Sequence, residues 1–253
     1  MVTIKSPREI DLMRIAGRIV FQAHQAVIPL IKPGVSTKTL DDMIEKTIRA
    51  LDATPSFKHY NGFPNASCIS INNQVIHGIP SEDKRLSEGD IVSIDIGANY
   101  KGYHGDSAWS YGCGTLSEPA QRLLDGTRAS LFEGLSYAKA GNRLSDISHA
   151  IQVYAEGLGY SVVREFVGHG IGKALHEDPP IPNYGLPGRG IILRPGMTIA
   201  IEPMINAGRK EVRVQPDGWT TLTADGSLSA HFEHTVLITV DGCEILTTMR
   251  KEE

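Results

Sequence analysis

The stretch Gly89-Asp-Ile-Val-Ser-Ile-Asp-Ile-Gly-Ala-Asn-Tyr-Lys-Gly-Tyr-His-Gly-Asp-Ser-Ala-Trp-Ser110 decides how this chain is read. Ile91 to Ile96 is apolar and β-branched apart from Ser93 and one acid, Asp95, the pattern of a strand. A second acid, Asp106, opens a return arm, and a symmetric hairpin places its turn between Tyr100 and Lys101, in the polar run Asn99 to Gly102. Directly opposed residues of antiparallel strands share a face. Both carboxylates then point the same way, from strands rather than loops. Like charges so placed repel, and buried carboxylates are costly unless paired. A shared proton, a neighbouring Arg or Lys, or a metal cation would relieve them; the arms themselves hold no Lys or Arg.

Upstream, Ser6-Pro7-Arg8-Glu9 has the form of a capping box with Pro at the first helical position. The apolar residues that follow, Leu12, Ala16, Ile19, Val20, Ala23, Ala26, Val27 and Leu30, predict a helix stopping at Lys32-Pro33-Gly34. A second helix carries Leu40, Met43, Ile44, Ile48 and Leu51 and ends at Thr54-Pro55. Phe57 to Pro80 reads as strand, turn, strand; His77 lies there beside Val75 and Ile76, a setting typical of a hydrogen-bonded core histidine. Downstream, Ser117-Glu118-Pro119 starts a helix ending at Lys139-Ala140-Gly141, and Ser145 caps a fourth, stopped by Gly159.

Two helices, strands and an acidic strand, then two helices again, suggest a repeat. An offset of 107 residues lays Lys32 on Lys139, Gly34 on Gly141, Leu86 on Leu193, Gly89 on Gly196, Ile94 on Ile201 and Asp95 on Glu202. The second copy of the acidic strand also has a partner. Glu202 and Glu233 are symmetric about Asp217-Gly218, a strong hairpin turn signal, with Pro216 before it. The arms between are long, so proximity of the two acids is a firmer expectation than their register.

Four carboxylates from two related halves share a pocket only with cations, and two divalent ions cancel four charges. Such a site has ions ~3.5–4 Å apart, bridged by carboxylates and a water-derived hydroxide. Hard oxygen ligands suit Mn, Fe(II) or Co better than thiolate-loving metals. A nitrogen ligand is offered by Phe166-Val167-Gly168-His169-Gly170-Ile171-Gly172, where glycines flank His169; a tight turn with an incidental histidine is the alternative. Seven residues on, His176 precedes Glu177-Asp178-Pro179-Pro180.

The chain has 253 residues, 41% of them hydrophobic and 21% charged, enough for a sizeable core. A net charge of −4 and the lack of a basic stripe give neither nucleic acid nor an anionic membrane as a partner. No apolar run approaches a membrane span, and the N-terminus lacks the apolar centre of a signal peptide. Cys68, Cys113 and Cys243 lie far apart, as expected of free thiols in a reducing cytoplasm.

Gly-His-Gly-Ile-Gly at 168–172 with His176-Glu177, the Asp95/Asp106 hairpin, Ile201-Glu202-Pro203 and His231-Phe232-Glu233-His234-Thr235 together resemble the methionine aminopeptidases of the pita-bread fold, almost from end to end. The gaps of 33 residues from His169 to Glu202 and 31 from Glu202 to Glu233 leave no room for the type II helical insertion. With no N-terminal zinc-binding extension expected, the type I, bacterial form fits best. The resemblance implies an α+β fold of pseudo-twofold duplicated halves, with a curved antiparallel sheet covered by helices on its outer face. It implies one catalytic domain over 1–253, with halves at roughly 5–110 and 115–245.

The same resemblance implies two divalent metal ions, drawn from Co, Mn, Fe(II), Zn or Ni. Asp95 would hold one, His169 and Glu202 the other, with Asp106 and Glu233 bridging and Glu202 shuttling protons. His176 would bond the substrate and stabilise the oxyanion, and His77 would contact the substrate near the scissile bond. A pocket for the methionine side chain would draw on Tyr60, Phe63, Cys68, Leu175 and Trp219, each equally readable as ordinary core. Phe63 and Leu175 depart from the Tyr and Phe often found in relatives. A monovalent cation near Asn72 and Ser229 is a further family feature. The implied setting is a cytoplasmic monomer at the ribosome, acting on the N-terminal methionine of nascent chains whose second residue is small. An X-Pro aminopeptidase or prolidase shares the five-ligand pattern, usually behind a large N-terminal domain; here only 94 residues precede Asp95, and the predicted helices fill them. A non-catalytic binding protein of the same fold is the other alternative, and it predicts lost ligands.

Overall fold

The computed structural model describes residues 2–249. In its first part, helices α1 (Pro7–Val27) and α2 (Thr37–Ala50) precede strands β1 (Thr54–Pro55), β2 (Ser67–Ile71), β3 (Gln74–Ile76), β4 (Ile91–Tyr100) and β5 (Tyr103–Gly112). Helices α3 (Glu118–Ser136) and α4 (Leu144–Gly157) follow, then β6 (Ser161–Val162), β7 (Gly168–Gly170), β8 (Glu177–Ile181), β9 (Thr198–Ile201) and β10 (Met204–Asn206). The chain closes with β11 (Val212–Val214), β12 (Thr221–Thr223), β13 (Ser229–His231), β14 (His234–Ile238) and β15 (Cys243–Ile245). All strand pairs are antiparallel; β4 lies between β5 and β2, and a five-stranded sheet runs β15-β14-β9-β7-β8.

Local chemistry places the helices. Ser6 caps α1, with Glu9 completing the capping box and Pro7 opening the helix. Ser117 caps α3 in the same way through the Ala120 amide. The expected Ser145 cap is corrected: α4 starts two residues earlier, with Arg143 at the cap and its amide donating to Asp146. Ser145 instead exchanges hydrogen bonds with the Arg189 backbone, which ties α4 to the loop before β9.

Two of the apolar clusters among the described residues lie under the helix pairs, one under each. Val92, Ile94, Ile96 and Ala98 on one face of β4 pack with Val20, Leu40, Ile44 and Ile48 of α1 and α2. Leu123, Leu131, Ile147 and Ile151 of α3 and α4 pack with Ile199, Ile201 and Val236. Since strand side chains alternate, burying the even positions of β4 against helices sends Ser93, Asp95 and Gly97 to the opposite face.

The hairpin register differs from the symmetric expectation. Tyr100 pairs with Tyr103, and the turn residues Lys101 and Gly102 both have positive φ, 49° and 84°. A tight two-residue turn of the primed kind needs that conformation at both positions. Asp95 therefore faces Ala108, and Asp106 faces Gly97. The shift is by two positions, so the acids stay on one face as a diagonal pair. Each is opposed by a small residue, which leaves space above the sheet.

In the second part the register is kept where the long arms left it open. Val214 pairs with Thr221 around the Asp217-Gly218 turn, Met204 with His231, and Ile201 with His234. Glu202 and Glu233 thus fall opposite one another between two paired segments.

The two parts meet where β5 runs beside β13 and β14, and side-chain hydroxyls make much of the join. Thr235 Oγ1 accepts from the Asp106 amide at 3.0 Å and donates to the Asp106 carbonyl at 2.8 Å. Ser110 Oγ accepts from the His231 amide and donates to its carbonyl, both at 2.9 Å. Ser107 Oγ donates to the Glu233 carbonyl at 2.7 Å, and the Glu233 amide donates to the Ala108 carbonyl at 2.8 Å. Thr235 is fully buried. Thr235→Val, which keeps the shape and removes the hydroxyl, leaves two buried backbone groups of Asp106 without that partner. It should lower stability by about 2 kcal/mol in urea unfolding.

Candidate metal centre

The strand pairs bring together the acids that the sequence separates. Donor atoms of Asp106, His169 and Glu233 all lie within 4.8 Å of one another, and all three residues are buried. Asp95 lies close enough to Asp106 for each carboxyl to influence the other's protonation. Glu202 stands across from them, its Oε1 3.7 Å from His169 Nε2 and its Oε2 3.5 Å from His231 Nε2. Asp95 Oδ1, Asp106 Oδ1 and Glu233 Oε1 are buried with no hydrogen-bond partner. Buried acceptors of this kind are rare without a partner, and three aimed into one space fit divalent cations.

Gly168-His169-Gly170 is a strand between β8 and β9, not the tight turn kept open above. The flanking glycines answer a close approach: a Cβ at Gly168 would meet the Ala200 carbonyl at 2.3 Å, and one at Gly170 the Asp178 carbonyl at 2.1 Å. His169 Nδ1 lies 2.9 Å from the Gly170 carbonyl, which only a protonated nitrogen satisfies. Nε2 is then the lone-pair nitrogen, and it faces the acids. A backbone carbonyl that fixes the tautomer in this way is the usual companion of a metal-binding imidazole.

The electrostatics of the cluster follow from burial. Desolvation, reinforced by the neighbouring acids, raises Asp106 and Glu233 far above the usual carboxylate range. Desolvation pushes Asp95 up to about 7 and Glu202 up to about 8. Burial lowers His77, His169 and His231 to about 4, so these rings are neutral at pH 7.

A cavity of about 260 Å³ opens over these residues. Its lining includes the candidate metal ligands Asp95, Asp106, His169, Glu202 and Glu233 together with His77 and His176. Tyr60, Phe63, Cys68, Leu175 and Trp219, the residues nominated for the methionine side chain, line it as well. Trp219 stands edge-on to Phe63 at 5.2 Å, and the Tyr60 hydroxyl lies 2.8 Å from His176 Nδ1. His77 holds a positive φ of 58° and packs edge-on against Phe166 at 5.6 Å. A non-glycine residue held there is strained, a feature concentrated at functional sites. Asn72 and Ser229 are adjacent through a 2.9 Å backbone hydrogen bond, and Asn72 is engaged by Asp90 and the Ile91 amide.

Phe57, Asn61, Ile76, Phe166 and Val167 also line the cavity and were not foreseen. They belong to strand ends and connecting segments, where no periodicity singles them out. Phe166 was in plain view at the head of the Gly-His-Gly segment.

The sequence profile of metallopeptidase family M24 matches residues 11–240. Methionine aminopeptidase 1 of Bacillus subtilis (strain 168) is 54% identical over 247 residues, covering 98% of this chain and 99% of that one. The methionine aminopeptidase of Escherichia coli (strain K12) is 44% identical over 253 residues, covering 100% of this chain and 96% of that one. Among solved structures, a methionine aminopeptidase from Thermotoga maritima superposes with a TM-score of 0.97 at 47% identity, covering 98% of this chain and 100% of that one. A prolidase from Pyrococcus furiosus superposes at 0.78 with 26% identity, and this chain spans 66% of it. The chain belongs to metallopeptidase family M24, among the bacterial type I methionine aminopeptidases, and has their pita-bread fold.

Stability should report the cluster's need for cations. Carboxyls whose folded-state pKa is raised stabilise the fold fully below their unfolded values and lose that contribution as pH rises through about 7 for Asp95 and about 8 for Glu202. The buried histidines act oppositely, costing stability as pH falls below 6.5. Metal-free protein should therefore lose thermal stability between pH 6.5 and about 8. Mn(II) at a hundred times its dissociation constant should restore about 2.7 kcal/mol. At one fixed Mn(II) concentration the gain should be larger at the higher pH, because ligands must be deprotonated.

Proposed function

We propose that this protein removes the N-terminal methionine from nascent proteins and peptides whose second residue is small. Two divalent ions would be held by Asp95 on one side and by His169 with Glu202 on the other, with Asp106 and Glu233 shared between them. When bound, such ions supply an activated water nucleophile and Lewis-acid polarisation of the scissile carbonyl. The observation that carries the reading is the convergence of four acids and one correctly tautomerised imidazole on a cavity whose other wall is aromatic and apolar.

The chain's own residues divide the remaining work. Tyr60, Phe63, Cys68, Leu175 and Trp219 form an apolar wall for an unbranched thioether side chain. Leu175 in place of a ring gives that wall a more pliable edge. With the Tyr60 hydroxyl donating to Nδ1, His176 presents Nε2–H to the substrate and to the charge developing on its carbonyl oxygen. His77, wedged between Phe166 and Trp219, faces the substrate near the scissile bond. Glu202 takes a proton on the nucleophile's side and passes it to the leaving amine.

The reading extends to a single catalytic domain over residues 1–253, built from related halves, that works as a monomer in the cytoplasm near the ribosome. Matching helices support the duplication: α2 and α4 are each 14 residues long.

Purified protein, stripped with a chelator and reloaded with Mn(II), should release methionine from a Met-Ala peptide and leave an Ala-Pro peptide intact. Glu202→Gln should lower kcat by about 10³-fold while a non-hydrolysable Met peptide still binds. His176→Ala should lower kcat by about 10²-fold. Cleavage of Ala-Pro in preference to Met-Ala, or turnover unaffected by the chelator, would overturn the assignment.

A further inference from the structure

His231 is not needed by the assignment above, yet it is 2% exposed and its Nε2 has no hydrogen-bond partner. That nitrogen lies 3.5 Å from Glu202 Oε2, the carboxylate oxygen turned away from His169. The ring cannot drift to another partner easily. Its backbone is clamped in both directions by Ser110 Oγ, which is itself 2.7 Å from Ser93 Oγ, and His231 pairs with Met204 across the strands. On the other side, the Glu202 carbonyl accepts from Asn183 Nδ2 at 3.0 Å. Both main chains are thus pinned, with a carboxylate oxygen and an imidazole nitrogen facing across the gap.

We propose that His231 is a positioning residue of the metal centre: its Nε2–H donates to Oε2 of Glu202 and turns Oε1 towards the ion shared with His169. The inference rests on the reading of Glu202 and His169 as ligands. A carboxylate that gives one oxygen to a cation in a buried site leaves the other in need of a donor. Metal-binding groups are oriented by such outer hydrogen bonds, and a neutral imidazole carries one N–H to give. Direct ligation by His231 is the competing arrangement, and a glutamine in its place separates the two.

Three variants test this. His231→Gln keeps an N–H donor near the same place, and His231→Leu and His231→Met keep bulk without one. Mn(II) is titrated calorimetrically into chelator-stripped protein, Co(II)-loaded protein is examined by visible absorption, and Met-Ala hydrolysis is followed in parallel. In the donor-free variants, Mn(II) affinity at the tighter site should fall about 10–100-fold and kcat should fall with KM little changed, whereas Gln should stay within about 3-fold of wild type. The Co(II) bands of the Gln variant should superimpose on those of wild type, because no ligand has been lost. Wild-type affinity in whichever of the Leu and Met variants folds would overturn the proposal. So would a Gln variant as weak as those two with shifted Co(II) bands, which would make His231 a ligand. Failure of the underlying reading shows differently: wild-type protein would take up no Mn(II), or Glu202→Gln would bind it unchanged.

Discussion

Four carboxylates crowded into one buried space repel one another, and the rest of the molecule is arranged to hold them there. Asp95 and Asp106 come from strands, and Glu202 and Glu233 from gaps flanked by strands, in sheets fastened to the helix pairs by branched aliphatic side chains. Small residues, Gly97 and Ala108, stand opposite the first two acids, so the space above the sheet is left to the carboxylates. Glu202 and Glu233 sit in a short gap between paired segments, where the backbone is steered from both sides. A rigid frame keeps the four groups at such distances, and protons at low pH or divalent cations at higher pH make the arrangement favourable.

Much of this was legible in the sequence, for identifiable reasons. Caps at Ser6 and Ser117 and alternating apolar positions on β4 are local signals, and local signals survived folding. The facing of Asp95 and Asp106 survived an error in register because a slip of two residues preserves the face. The turn itself was misplaced because Lys101-Gly102 is a weaker signal than Asn-Gly, although Gly102 was there to be seen. Ser145 misled because a serine near a helix start resembles a cap, whereas its hydroxyl was recruited by a distant loop. Tertiary partners of that kind leave no trace in a short window of sequence. The strand character of Gly168-His169-Gly170 was hidden likewise, since only the approach of β8 and β9 explains its glycines.

The substrate side of the cavity shows where the sequence runs out. Tyr60, Phe63, Cys68, Leu175 and Trp219 are scattered over the chain, and family likeness alone nominated them; one cavity wall contains them all. Phe57, Ile76 and Phe166 complete that wall without any motif to announce them. His77 joins the two sides. Its left-handed backbone aims the ring between Phe166 and Trp219, so a strained residue sits at the boundary between the apolar wall and the acids.

The join between β5 and the strands opposite it relies on hydroxyl oxygens of Ser107, Ser110 and Thr235 rather than on an unbroken backbone ladder. A ladder has one fixed spacing. A rivet made of a side chain has a length set by its residue type; Thr235 and Ser107 grip the main chain at Asp106 and Glu233, and Ser110 grips it two residues before Glu233. The separation of the two acid pairs is therefore set in part by a few small polar residues, and a single exchange among them changes that spacing at a point outside the aliphatic packing under the helix pairs.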